Sequence, residues 1–184
     1  MKKIISIIVL LILNYCCTGN IYAQPKDEAF TIYLVRHSEK DYESKNYSNL
    51  PLSKCGKIRS EKLSEFLSNI KIDIVYSTNF LRTNSTALPT ANSKELKIRE
   101  YSPENLKKFS EYLLDLKQYA LVVGHSDTTA VLAGLLAGLN LEAFENDVYD
   151  RIYQVVIYKD KSSLNIFHSM FELSLIHISE PTRQ

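Results

Sequence analysis

Short apolar runs alternate with amphipathic stretches along most of the chain. Runs of about four to eight apolar and β-branched residues are typical of buried strands. This pattern predicts strands over 30–36, 72–77, 96–99, 119–124, 153–159 and 164–168. Between them, apolar residues recur at helical spacing, which predicts helices over 53–69, 79–91, 103–117 and 128–139.

Three residues carry signals for the ends of these helices. Ser53 can cap the first helix, and Pro103 occupies the first turn of the third, where a missing N–H is tolerated. Pro89 weakens the end of the second helix, because proline removes a hydrogen bond from a helix interior. We therefore expect helix boundaries near these residues.

The order of the elements favours an α/β fold, because strand and helix alternate four times. We predict a three-layer sandwich, in which a mostly parallel mixed sheet has helices on both faces. The last two strands are separated only by a turn at 160–163 and should form an antiparallel hairpin. Ligands of such sheets bind beyond the carboxyl ends of the strands, so the residues there are the functional candidates.

Charge and length narrow the possible classes of partner. The chain has 184 residues, 22 of them basic and 21 acidic, for a net charge of +1. That length suits one main domain. Near neutrality argues against a nucleic-acid partner, which would select a strongly basic surface. No stable membrane span is expected, because the longest apolar run is shorter than about 20 residues. The oligomeric state stays open.

The amino terminus has the three parts of an export signal. Lys2 and Lys3 precede an apolar run over 4–13, and Ala23 offers a small residue at the cleavage point. We predict a signal peptide over 1–23 and an exported protein, periplasmic or extracellular. A lipoprotein, cut before Cys16, is less favoured because bulky Tyr15 fits that cleavage pattern poorly.

The carboxyl terminus resembles a sequence of non-biological origin. Residues 173–183 (LSLIHISEPTR) resemble the translation of an adapter used in preparing DNA sequencing libraries. We therefore treat 173–184 as a non-native tail and give His177 no functional weight. The functional domain is predicted over 24–172.

Histidines and arginines follow three of the predicted strands. Arg36 and His37 end the first strand, Arg82 comes shortly after the second, and His125 follows the strand that ends at Gly124. Because the carboxyl ends of parallel strands meet at one edge of a sheet, these side chains should converge.

Three segments carry a family resemblance. Leu34-Val-Arg-His-Ser-Glu39 resembles the opening signature of the histidine phosphatase superfamily, which has the phosphoglycerate-mutase-like fold. Residues 76–87 (YSTNFLRTNSTA) resemble its second signature, and Leu121-Val-Val-Gly-His125 its third. The segments occur in the family's order, and the likeness covers most of 29–170. It is closest to the small bacterial members that lack a cap, some of them exported.

The resemblance implies a role for each of the four residues. His37 would be the nucleophile that forms a transient phosphohistidine. Arg36 and Arg82 would bind the phosphoryl oxygens, because a guanidinium matches phosphate geometry and stays charged. His125 would be the second histidine of the phosphate pocket, stabilising the charge that builds on those oxygens.

The proton donor is not fixed by the sequence. Asp127, two residues after His125, resembles the His-Asp arrangement of the acid-phosphatase branch, although Ser126 changes the spacing. Glu100 lies near the position at which the mutase branch supplies a glutamate, and Glu39 is close to the nucleophile. A solvent proton is a further alternative.

The residues and the resemblance together predict an exported phosphomonoesterase. No cofactor and no metal are expected, since the spacing of Asp147 and Asp150 fits no metal-binding loop. The partner would be a phosphorylated small molecule or phosphopeptide, whose identity the sequence leaves open. The alternative is a module that binds a phosphate ligand without turnover, if no carboxylate faces the pocket.

Overall fold

The computed structural model describes residues 28–169. The predicted signal peptide over 1–23 and the predicted tail over 173–184 lie outside the described residues. So does Cys16, on which the lipoprotein alternative depends.

Six strands and four helices form the described part of the chain. The strands are β1 (Phe30–Arg36), β2 (Ile74–Ser77), β3 (Ile98–Glu100), β4 (Ala120–Gly124), β5 (Arg151–Tyr158) and β6 (Lys161–His168). The helices are α1 (Lys54–Phe66), α2 (Leu81–Ser93), α3 (Leu106–Leu116) and α4 (Thr129–Ala137), and a 3₁₀ turn spans Pro103–Asn105.

One six-stranded mixed sheet organises these elements. Its spatial order is β3-β2-β4-β1-β5-β6. The four strands from β3 to β1 are parallel, whereas β5 and β6 run antiparallel to their neighbours. Arg36 lies opposite Gly124 in the β1–β4 pair, and Ser77 lies opposite Val123 in the β2–β4 pair. The carboxyl ends of β1, β2 and β4 therefore lie side by side.

Helices cover both faces of the sheet, as the alternating pattern predicts. The side chains of β1 show the two layers: Ile32 and Leu34 belong to the cluster that includes Leu113 of α3 and Leu132 of α4. Tyr33 and Val35, on the opposite face, belong to the cluster with residues of α1 and α2. Burial on both faces explains the unbroken apolar run of this strand. The α/β three-layer prediction is confirmed.

Most element boundaries differ by one to three residues from the sequence predictions, and two of the differences have a clear cause. The helix α2 begins at Leu81 and continues past Pro89 to Ser93, because the loss of one backbone donor is offset by the burial of Thr86, Ala87 and Ala91 on its inner face. The turn between the last two strands is shorter than the predicted 160–163, because β5 ends at Tyr158 and β6 already begins at Lys161.

No helix within 28–169 is long and apolar enough to cross a membrane.

Candidate active site

Three parallel strands deliver polar side chains to a single cavity of about 580 Å³. The backbone N–H of His37 donates to the Gly124 carbonyl at 2.9 Å, which locks the end of β1 against the end of β4. Four of the residues singled out by the sequence, Arg36, His37, Arg82 and His125, line this cavity. Its other lining residues are Lys40, Phe80, Pro103, Ser126, Asp127, Thr128, Ala143, Phe144 and Asn146.

The imidazole of His37 is held in one tautomer. The residue is 3% exposed, and Nδ1 of its ring lies 2.8 Å from the Ser38 carbonyl oxygen. Because a carbonyl can only accept, Nδ1 must carry the proton and Nε2 has a free lone pair in the neutral ring. The Nε2 atom makes no hydrogen bond within the described residues and is not among their buried unpartnered atoms. It is therefore the part of the ring that the cavity can reach.

Burial keeps His37 neutral. Desolvation lowers the pKa of the ring to about 3, and the positive charges of Arg36 and Arg82 act in the same direction. The hydrogen bond to Ser38 opposes the shift but does not reverse it. At neutral pH His37 is thus an unprotonated nucleophile candidate.

Arg36 is a buried guanidinium without a carboxylate partner among the described residues. Its Nη1 donates to the Val148 carbonyl at 3.0 Å, and its guanidinium carbon lies 4.1 Å from the centre of the Tyr149 ring. Its Nε is buried and has no hydrogen-bond partner. Burial lowers the pKa of this group, although an arginine still stays charged. Its Nη2 makes no hydrogen bond in the described residues and is not among their buried unpartnered atoms, so it is the donor that an anion in the cavity can reach.

Arg82 repeats this arrangement at the start of α2. Its guanidinium carbon lies 4.2 Å from the centre of the Phe80 ring, and its buried Nε has no partner. Burial, and then the charge of Arg36, lowers its pKa. Two cations that destabilise each other at the edge of a sheet, each with an unused donor, form a site suited to phosphate.

The second histidine faces the first across the cavity. The rings of His37 and His125 are 5.4 Å apart, centre to centre. The Nε2 atom of His125 lies 2.9 Å from the Thr78 hydroxyl, and its backbone N–H donates to the Thr128 hydroxyl. Burial, and then the charge of Arg82, lowers the pKa of His125 to about 4.

The three candidate carboxylates occupy different environments. Asp127 lines the cavity, is exposed, and acts electrostatically on His125 by raising its pKa against the effect of burial. Glu100 ends the edge strand β3, is exposed, and does not line the cavity. Glu39 accepts two hydrogen bonds from Arg59 Nε and one, at 2.6 Å, from Nη2. Of the three, only Asp127 combines proximity with a free carboxylate.

Several supporting residues were not among those that the sequence analysis singled out. Tyr149 lies under Arg36 but is separated from it by more than a hundred residues of chain, so no periodicity links them. Thr78 and Thr83 form a buried hydroxyl pair behind His125. Thr78 falls inside the segment 76–87, and a polar residue directly after a buried strand is the signal that could have identified it.

The described part of the chain contains no cluster of three or more His, Cys, Asp or Glu side chains that could bind a metal ion. Asp150, considered in the sequence as a metal ligand, instead accepts a hydrogen bond from His168 Nδ1 at 2.9 Å.

The fold is shared with several solved structures of low sequence identity. A structure of the protein histidine phosphatase SixA complexed with tungstate superposes with a TM-score of 0.66 at 18% identity, covering 76% of this chain and 97% of the other. A putative α-ribazole-5'-P phosphatase from Escherichia coli K-12 gives 0.63 at 15%, covering 77% and 97%. A mycobacterial glucosyl-3-phosphoglycerate phosphatase gives 0.61 at 13%, covering 77% and 100%.

The sequence comparisons find one family similar to part of the chain. No curated protein is similar enough to match. The family model of the histidine phosphatase superfamily (branch 1) matches residues 32–104, a span that contains Arg36, His37 and Arg82 and ends before His125. Residues 32–104 are therefore similar to the histidine phosphatase superfamily, and the chain shares its fold with solved phosphatases.

Proposed function

We propose that the protein hydrolyses phosphate monoesters through a phosphohistidine formed on Nε2 of His37. The observation that carries the proposal is the fixed tautomer: Nδ1–H is tied to the Ser38 carbonyl, so the lone pair of Nε2 is the group presented to the cavity. Because the pKa of this ring is about 3, the lone pair is available at neutral pH without any general base.

Arg36 and Arg82 bind the phosphoryl group in this proposal. Each has a terminal guanidinium nitrogen that makes no hydrogen bond in the described residues and is not among their buried unpartnered atoms, and burial disfavours the charged form of both groups. A phosphoryl dianion supplies the missing acceptors and neutralises both charges. His125, 5.4 Å from His37 between ring centres, stabilises the oxygens on the opposite side.

The proposed reaction has two steps, transfer of the phosphoryl group to His37 and hydrolysis of the resulting phosphohistidine. In the first, His37 Nε2 forms a bond to phosphorus while the ester P–O bond breaks, and the departing alkoxide takes a proton from Asp127 or from solvent. In the second, water attacks phosphorus, the P–N bond breaks and inorganic phosphate is released. The proton lost by the water returns to Asp127, which recovers its starting state.

Asp127 is the carboxylate best suited to this exchange of protons. It lines the cavity with the two histidines, whereas Glu39 is engaged by Arg59 and Glu100 lies outside the lining. Its exposure leaves it in contact with solvent, so proton exchange between turnovers needs no relay.

The decisive experiment measures hydrolysis of a chromogenic aryl phosphate by the full chain with a chelator present. We expect turnover in the wild type and a loss of about 10³-fold or more in His37→Ala, because the nucleophile is removed. His168→Ala is the matched control, since His168 is exposed and bonds only to Asp150. Rapid quenching with labelled substrate should trap an acid-labile phosphoenzyme.

Two results would overturn the proposal. Undiminished hydrolysis by His37→Ala would remove the phosphohistidine mechanism. Binding of tungstate without hydrolysis of any aryl phosphate by the wild type would favour the alternative of a phosphate-binding module without turnover.

We also propose that the protein acts outside the cytoplasm, on the pattern of Lys2, Lys3, the apolar run 4–13 and Ala23. Its substrates would then be small phosphate esters or phosphopeptides of that compartment. Sequencing the amino terminus of the exported protein should find Gln24 first. A lipid-modified Cys16 at the terminus would instead support the lipoprotein alternative.

A further inference from the structure

The candidate nucleophile lies in a backbone segment that is held from two sides. The His37 N–H donates to the Gly124 carbonyl at 2.9 Å, and Nδ1 of its ring donates to the Ser38 carbonyl at 2.8 Å. The position of the ring therefore depends on where Ser38 lies. Ser38 itself is 2% exposed, so its backbone N–H needs an acceptor inside the protein.

A threonine of α2 supplies that acceptor. The Ser38 N–H donates to Thr86 Oγ1 at 2.9 Å, and the Thr86 hydroxyl donates to the Arg82 carbonyl at 2.8 Å. Both directions are settled, because a backbone N–H can only donate and a carbonyl can only accept. The bond to Arg82 joins residues four apart in one helix, and it stabilises the side-chain rotamer that turns the oxygen toward Ser38.

Thr86 thus connects the two groups that a phosphoryl transfer must hold at a constant separation. Arg82 lies at the start of α2 and lines the cavity, whereas Ser38 carries the carbonyl that orients the ring of His37. Thr86 is fully buried and does not line the cavity. It can therefore act only through its neighbours, and not by touching a substrate.

We propose that Thr86 is a positioning residue, which holds Ser38 against α2 and thereby places the ring of His37 relative to Arg82. Its part in catalysis rests on the function proposed above, whereas its hold on Ser38 does not. The hydroxyl is the group that matters, because it is the acceptor for one backbone segment and the donor to the other.

Other contacts of the site should survive the loss of this hydroxyl. The loop after the nucleophile keeps two further anchors, since the Glu39 carbonyl accepts the Ser53 N–H and the Glu39 carboxylate binds Arg59. Arg82 stays on α2, because the backbone hydrogen bonds of a helix do not involve side chains. The change should therefore fall on the nucleophile and spare the groups that bind the anion.

The test uses two pairs of proteins that differ only at the hydroxyl. Wild type and Thr86→Val have side chains of nearly the same shape, and Thr86→Ser and Thr86→Ala both lack the methyl group. Within each pair, removing the hydroxyl should lower kcat for the aryl phosphate by about 10- to 100-fold, because the nucleophile is displaced from its line of attack. The dissociation constant of tungstate, which needs only the anion-binding groups, should change far less than kcat.

Hydrogen exchange and a control variant separate positioning from general damage. Exchange of the Ser38 amide, followed by NMR, should be faster in each variant without the hydroxyl, whether or not the protein turns over substrate. Thr90→Val is the matched control, because Thr90 is an equally buried threonine one turn further along α2, and its Oγ1 has no hydrogen-bond partner among the described residues. It should change neither kcat nor the exchange rate.

Wild-type kcat in Thr86→Val would overturn the proposal. So would equal losses in Thr86→Ser and Thr86→Ala, which would assign the effect to packing of the methyl group. A loss of tungstate binding as large as the loss in kcat would also count against it, because the whole pocket would then have changed. If Thr86→Val does not fold, the comparison of Thr86→Ser with Thr86→Ala still decides.

Failure of the proposed function gives a different result. A wild type that binds tungstate without turnover would contradict the phosphatase reaction. In that case the Ser38 amide alone decides: faster exchange in Thr86→Val would support the hold of Thr86 on Ser38, and unchanged exchange would overturn it.

Discussion

The two pocket histidines differ in the group that fixes their protons. Nδ1–H of His37 is tied to a backbone carbonyl, whereas Nε2 of His125 faces a hydroxyl. A carbonyl can only accept, so the tautomer of His37 is independent of side-chain choice. A hydroxyl can donate or accept, so His125 depends on Thr78. Substitutions near the nucleophile should therefore leave its tautomer intact, in contrast to those behind His125.

Asp127→Asn tests the proton donor at the scale of one residue. If Asp127 protonates the leaving group, the variant should lose about 10²-fold or more on an alkyl phosphate and much less on an aryl phosphate, whose leaving group needs little acid assistance. Comparing kcat for the two substrates measures this difference. Glu100→Gln, at the end of β3 and outside the cavity lining, is the control and should not discriminate between them. Equal losses on both substrates would exclude Asp127 as the acid.

The site residues that could be predicted from the sequence are those whose position is set by the carboxyl end of a strand. Arg36 ends a buried strand, and His37 and His125 directly follow one; a parallel sheet brings such positions together whatever the conformation of the loops. Tyr149 could not be predicted, because it comes from an irregular segment and reaches Arg36 only through tertiary packing. The pairing of Glu39 with Arg59 was equally hidden, since two charges in a sequence do not reveal whether they meet.

At the scale of elements, α1 is docked closely on the loop that follows the nucleophile. Gly56 lies in its first turn, where an added Cβ would come within 2.3 Å of the Glu39 carbonyl oxygen. That same carbonyl accepts the N–H of Ser53, the cap of the helix. The sequence predicted this helix and its cap. It could not predict the close contact, which depends on how the helix packs and not on its own periodicity.

Gly56→Ala should therefore destabilise the protein by about 2 kcal/mol or more, because the added methyl group would clash with the backbone of Glu39. A backbone segment cannot relax as easily as the end of a flexible side chain. The substitution should also lower aryl phosphatase activity by displacing the loop between His37 and Glu39. Urea unfolding and steady-state kinetics measure the two effects. Gly138→Ala is the comparison: its φ of +67 is strained for alanine, but its surroundings are open. It should cost about 1 kcal/mol and leave the activity unchanged.

At the scale of the whole molecule, the sheet holds two histidines in an environment that disfavours their charged form. Their pKa values are about 3 and about 4 in the folded protein, against an ordinary value of 6.5. The unfolded chain therefore binds more protons than the folded protein between about pH 6.5 and pH 4. The stability that these neutral rings contribute is fully present at pH values above the ordinary histidine pKa of 6.5. It is lost as the pH falls below that value.

We expect the free energy of unfolding to decrease as the pH is lowered through this window, by at most about 1.4 kcal/mol per pH unit for each histidine. Urea denaturation at several pH values measures the slope. A variant carrying both His37→Asn and His125→Asn should have a flatter profile than the wild type. A wild-type profile that is flat between pH 6.5 and 4.5 would contradict the shifted pKa values.

The unpaired guanidinium groups of Arg36 and Arg82 link the stability of the whole chain to its chemical surroundings. Any oxyanion that binds between them stabilises the folded state by mass action, by about 2.7 kcal/mol when its concentration is a hundred times its dissociation constant. Inorganic phosphate, the product of the proposed reaction, is such an anion. If the proposed reaction is correct, scarce phosphate leaves the pocket open to substrate and the protein at its least stable. Abundant phosphate would then both inhibit hydrolysis and stabilise the fold, so that one binding equilibrium links activity to stability.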